Sequence, residues 1–140
     1  MRLKHLLVLT AILGGSNGII AVSIPALALS LYGITPEPAV TLLSRYAGLG
    51  SIAIALVAWF ARNVEDVPAQ RAIVRAFLIT HIIGVVISVA GTLSGVMASG
   101  WPVVGLYLAL AAGYAFFLFT GPNPPGKEAT AVNATPDRRG

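Results

Sequence analysis

Asn17, Arg45, His81, Tyr107 and Tyr114 are the side chains of this sequence whose types could do chemistry inside a hydrocarbon layer. A histidine can pass a proton, a phenol can give or take a hydrogen bond, an amide can do both at once, and a guanidinium can hold an anionic or carbonyl oxygen. Two arrangements follow. In one, Arg45, Tyr107 and His81 hold a lipophilic molecule or a partner membrane protein between helices, without catalysis. In the other, a small intramembrane enzyme acts on a lipid, quinone or isoprenoid, with Arg45 fixing a polar group and His81, Tyr114 and Asn17 moving a proton. The first is the expectation; a small transporter is a third possibility, weakened by the lack of an acidic coupling residue.

What is missing prunes the chemistry further. No Asp or Glu falls between residues 6 and 36, 46 and 61 or 76 and 126, which argues against a proton-coupled drug exporter, where a membrane carboxylate links proton to cargo. The sequence has two histidines, His5 and His81, and His5 lies next to the charged start of the chain. Bis-histidine haem and a histidine metal site therefore cannot form within one chain. With no cysteine, thiol nucleophiles, disulfide exchange and iron–sulfur clusters are also excluded. The expectation is no cofactor and no metal.

The elements that must position these residues are transmembrane helices. Of 140 residues 56% are hydrophobic and only 10% charged, where a soluble domain carries about a quarter charged residues. A mean hydropathy of +0.85 and uncharged runs of this length exceed what a small soluble core could bury. A net charge of +4 would suggest nucleic acid in a soluble protein. Here the basic residues flank apolar spans and read as topology signals, so nucleic acid is discounted.

Crossing the hydrocarbon takes roughly 20 apolar residues at about 1.5 Å each. Four segments qualify, at about 6–24, 39–61, 72–93 and 101–120, within one domain of residues 1–120. Between the first two, PALALSLYGITPEP is apolar but interrupted by Pro25, Gly33, Pro36 and Pro38, and reads as a segment lying at the interface with Tyr32 at headgroup level. The tail 121–140, with four prolines and no apolar period, is expected to be disordered and cytoplasmic. Lys4 and Arg2 before an apolar run, with Ala26-Leu27-Ala28 after it, also match a signal peptide in outline. The run is nearly twice a usual signal-peptide core, so it is read as a retained span.

The fold expected is an all-α, up-and-down four-helix transmembrane bundle. Placing the N-terminus in the cytoplasm puts Arg2, Lys4, Arg62, Arg71, Arg75, Lys127, Arg138 and Arg139 on that side, as the positive-inside rule requires. The expected location is a bacterial inner membrane with both termini cytoplasmic. Arg45 alone breaks the pattern. By helical rise it lies about 9 Å below the outer boundary, within reach of Glu37, of headgroups or of Tyr107.

Polar and small residues at helical spacing mark the sides that face other helices. On the first helix these are Thr10, Gly14, Asn17 and Ala21; on the second Ser44, Gly48, Ser51, Ala55 and Ala58; on the third His81, Gly84, Ser88, Gly91 and Gly95; on the fourth Tyr107 and Tyr114. Gly14 with Gly18, and Gly91 with Gly95, form GxxxG pairs suited to close helix approach within the chain or in a homo-oligomer. Depth sorts the polar residues into two layers, an outer one with Arg45, Tyr107 and Ser88 or Thr92, and a middle one with Asn17, His81 and Tyr114. A neutral His81 bonded to Asn17 or Tyr114 is the structural expectation for the middle layer.

Taken together, a first helix starting inside, the proline-broken PALALSLYG, the arginine and glycines of SRYAGLG opening the second helix, and two further helices joined by a short turn resemble the small bacterial four-helix membrane proteins of the DoxX-like kind. The resemblance covers residues 1–120 and implies an up-and-down four-helix membrane fold. It implies very little about activity.

Overall fold

The computed structural model describes residues 3–120, which form helices α1 (Leu3–Ser23), α2 (Pro25–Leu31), α3 (Pro38–Ala61), α4 (Val67–Leu93) and α5 (Trp101–Thr120). The tail expected to be disordered lies outside the described residues. α1, α3, α4 and α5 are long and apolar enough to cross a membrane, and the chain is a multi-pass membrane protein built as a four-helix bundle. Leu43, Phe60, Ile87 and Phe119 stand exposed on its outside, as a face that meets lipid requires.

Prolines set most helix starts. Pro38 and Pro25 occupy the first turns of α3 and α2, and Pro68 that of α4, where the missing amide proton costs nothing. Pro25 therefore ends α1 and also begins a new helix, so the segment read as lying at the interface contains α2. α4 starts five residues before the expected position of Ala72, because the Asp66 side chain accepts a hydrogen bond from the Ala69 amide at 2.8 Å and caps the extra turn. The other spans agree with the apolar runs to within three residues at either end.

The helices pack as two antiparallel pairs, α1 with α3 and α4 with α5. In the first pair Gly18 meets Gly48: a Cβ on Gly18 would stand 2.7 Å from the Gly48 carbonyl oxygen, so only glycine permits this approach. In the second, Gly84 lies under the Tyr107 ring, whose carbons would be 2.6 Å from an added Cβ. Gly91 and Gly95 do not form a helix-packing pair. Gly95 ends α4 at φ 75° and Gly91 faces the Met97 side chain, so both belong to the turn before α5.

The two pairs meet at the end that carries Lys4, Arg62, Arg71 and Arg75, here termed the basic end. There Leu7, Ala58, Val74, Phe77 and Tyr114 form a closed core. At the opposite end α2 lies against α1 and α3. Its last turn closes on Gly33, at φ 70°, through the bonds Gly33 N to Ser30 O and Ile34 N to Leu29 O, both 3.0 Å. The Ser99 amide donates to the Tyr32 carbonyl at 3.4 Å, so the two loops of this end touch.

Candidate functional site

Between the two helix pairs, above the closed core, lies a cavity of about 320 Å³ walled by all four spanning helices and by Tyr32. Its polar wall is Thr10, Asn17, Tyr32, Ser51, Thr80, His81 and Tyr107; the remaining wall is aliphatic apart from Gly14. No Asp, Glu, Lys or Arg contributes to it.

His81 is 4% exposed. Its Nδ1 lies 2.6 Å from the Phe77 carbonyl oxygen, an acceptor only, so Nδ1 carries a proton; burial with no carboxylate on the cavity wall favours the neutral ring, which offers Nε2 as an acceptor. Nε2 has no partner among the described residues. Every fully enclosed side-chain nitrogen and oxygen among those residues is partnered, so Nε2 is not sealed in protein and opens toward the cavity. The ring is held by aromatic neighbours, with centroids 5.3 Å from Tyr114 and 5.9 Å from Tyr107.

Asn17 is fixed by Tyr32, whose Oη donates to Oδ1 at 2.9 Å. That bond uses the amide's acceptor and leaves Nδ2, with two hydrogens, as the free donor on the same wall. Burial pushes the Tyr32 hydroxyl above its ordinary value of 10.0, the neighbouring Tyr107 adds to the rise, and the bond to Asn17 opposes it. Ser51 and Thr80 donate to the carbonyls of Ala47 and Ala76, four residues back in their own helices, so their hydrogens are used within the chain.

Tyr114 belongs to the floor. It is fully buried, its Oη lies 2.7 Å from Thr10 Oγ1, and its ring stacks on Phe77 at 5.2 Å between centroids. The structure thus brings Asn17, His81 and Tyr107 to one space and puts Tyr114 below it. His81 hydrogen-bonds neither Asn17 nor Tyr114, contrary to the pairing expected for the middle layer; its bond goes to the carbonyl one turn back in its own helix. Arg45 is exposed and outside the cavity wall, with no hydrogen-bond or ion-pair partner among the described residues. Ser88 is buried and its carbonyl accepts from Thr92 at 2.7 Å; neither residue lines the cavity.

The sequence pattern places Tyr32 at headgroup level, whereas in the structure its hydroxyl turns inward to Asn17. The turn that carries it back over α1 depends on α2 being helical, for which Pro25 at a helix start was the only signal. No group of three or more His, Cys, Asp or Glu side chains that could hold a metal occurs among the described residues. The chain matches no family model, no curated protein and no solved structure.

Proposed function

We propose that the protein binds a lipophilic molecule between its helices and does not act on it chemically. The observation that carries this reading is the pairing, in one mostly aliphatic cavity, of a free donor at Asn17 Nδ2 with a free acceptor at His81 Nε2. Uncommitted polar groups on membrane helices are costly, and those that persist mark sites of function. A cavity of this size with few polar groups has the character of a small-molecule pocket. Binding is favoured over lipid-modifying catalysis because Tyr114 does not line the cavity and its hydroxyl is bonded to Thr10, which leaves His81 without that phenol as a proton relay.

In this reading the protein lies in a bacterial inner membrane with the basic end in the cytoplasm and α2 at the outer leaflet. Support comes from Lys4, Arg62, Arg71 and Arg75 gathering at one end. Arg45, exposed in the second turn of α3, extends toward headgroups and anchors that helix.

The test is equilibrium photolabelling of the full chain in nanodiscs with a monoacylglycerol carrying a diazirine near its ester. Saturable labelling of α1 and α4 peptides, reduced at least tenfold in Asn17→Leu and in His81→Leu, is the expected result. Labelling that is unsaturable, or equal in the variants, refutes the reading.

A further inference from the structure

We infer that the ligand is an uncharged amphiphile with a compact head bearing a hydroxyl and a second oxygen, and that it enters from the bilayer between α3 and α4, leaving its hydrocarbon chain in that cleft. This rests on the binding reading above and adds the ligand's class and its route.

The head follows from the wall. Asn17 Nδ2 calls for an acceptor oxygen, and His81 Nε2 calls for a hydrogen donor. A charged head would be stripped of water with no opposite charge on the wall to receive it, a cost that hydrogen bonds alone do not offset. About 320 Å³ is at the small end of the range for ligand pockets, which fits a head and the first carbons of a chain better than a whole lipid.

The route follows from how the helices pack. α1 closes on α3 at Gly18 and Gly48, α4 closes on α5 at Gly84 and Tyr107, and the core around Phe77 and Tyr114 seals the basic end. The loops meeting at Gly33 and Ser99, with Tyr32 beneath them, cover the other end. α3 and α4 are not a closely packed pair. Between them runs a cleft of about 250 Å³, almost wholly apolar, with the buried Phe77 and the small, exposed Ala53 and Ala76 in its lining. Ile54 and Thr80 line both this cleft and the central cavity, so the two spaces share a wall that side-chain movement can open. Since α3 and α4 both span the membrane, the cleft faces acyl chains. An apolar chain lying there keeps the surroundings it has in the bilayer while its polar head gains the partners at Asn17 and His81.

The sequence has no cysteine, so Ile54→Cys with Thr80→Cys can be bridged specifically by a short, reducible bis-methanethiosulfonate. The double variant in nanodiscs is photolabelled over time with the diazirine monoacylglycerol and, separately, with the corresponding lysophosphatidate. Ala53→Trp with Ala76→Trp, which narrows the cleft without touching the cavity wall, serves as a second obstruction. Bridging should slow monoacylglycerol labelling of the α1 and α4 peptides at least tenfold, reduction should restore it, and the tryptophan pair should slow it in the same sense. The lysophosphatidate should label lipid-facing positions and leave the cavity peptides unlabelled. Unchanged labelling rates under both obstructions overturn the route while leaving binding intact. Equal cavity labelling by the lysophosphatidate overturns the uncharged class. Absence of cavity labelling in the unbridged chain overturns binding itself, and the route with it.

Discussion

The phenol of Tyr32, from the turn after α2, donates to the amide oxygen of Asn17, in mid-α1, across 2.9 Å. This bond ties the short helix over the cavity and decides which end of the amide faces inward. Tyr32→Phe removes the hydroxyl and frees the amide to rotate. Interhelical hydrogen bonds in membranes are worth on average about 0.6 kcal/mol, so thermal unfolding in detergent should change little. Equilibrium photolabelling of the cavity by the diazirine monoacylglycerol should fall several-fold, because Nδ2 is no longer aimed. A large loss of stability with undiminished labelling would contradict this division of roles.

Tyr114 should behave in the opposite way. Its ring fills the closed core and its hydroxyl is bonded to Thr10. Tyr114→Ala should destabilise by about 3–5 kcal/mol, as aromatic truncations in packed cores do. Tyr114→Phe should cost under about 2 kcal/mol and leave cavity labelling within twofold of wild type. A loss of labelling in Tyr114→Phe at unchanged stability would place the phenol in the binding site.

The glycine contact between α1 and α3 yields a paired test. Gly18→Leu forces side-chain atoms against the Gly48 carbonyl and Ile52, and overpacking of this kind costs about 1–3 kcal/mol. An added Cβ on Gly50, two residues beyond the contact, meets nothing within 4 Å, so Gly50→Ala should be neutral or stabilise α3 by up to about 1 kcal/mol. Unfolding followed by circular dichroism in one detergent compares the two directly. Equal effects would mean that Gly18 and Gly48 do not hold the pair together.

Much of this fold was legible from sequence because the bilayer imposes it. Helix length, apolar run and helix-starting proline coincide at α3 and α5, whose limits were read almost to the residue. α4 began earlier than its apolar run because its first turn is held by a cap at Asp66, a local hydrogen bond that hydropathy does not register. Spacing put Asn17, His81 and Tyr107 on inward-facing seams, and all three line the cavity, since a polar residue on a seam has few places to point. Arg45 stands out by its charge, and on a helical wheel it flanks the small-residue stripe of α3; the structure leaves it exposed and outside the cavity wall. Tyr32 and the partnership of Thr10 with Tyr114 needed the third dimension, because contacts across 15 and 104 residues follow from packing and not from period.

Orientation is open to a direct check. A cysteine at Ser99, in the turn at the α2 end, and one at Asn123, beyond α5, should react with a membrane-impermeant maleimide from opposite sides of inverted vesicles and intact spheroplasts. Ser99 should label from outside and Asn123 from the cytoplasm. Labelling of both from one side would contradict the four-span arrangement, and reversed labelling would contradict the proposed orientation alone.

The central claim, that the cavity holds an uncharged lipophilic molecule through Asn17 and His81, is tested most directly by purifying the full chain from its native membrane and quantifying neutral lipophiles by mass spectrometry. Wild type, Arg45→Gln and the Asn17→Leu/His81→Leu double variant are compared at matched stability. The expected result is one neutral molecular species near equimolar with wild type and Arg45→Gln, and at least tenfold depleted in the double variant. A species retained equally by all three, or only bulk membrane lipid in each, would contradict the claim.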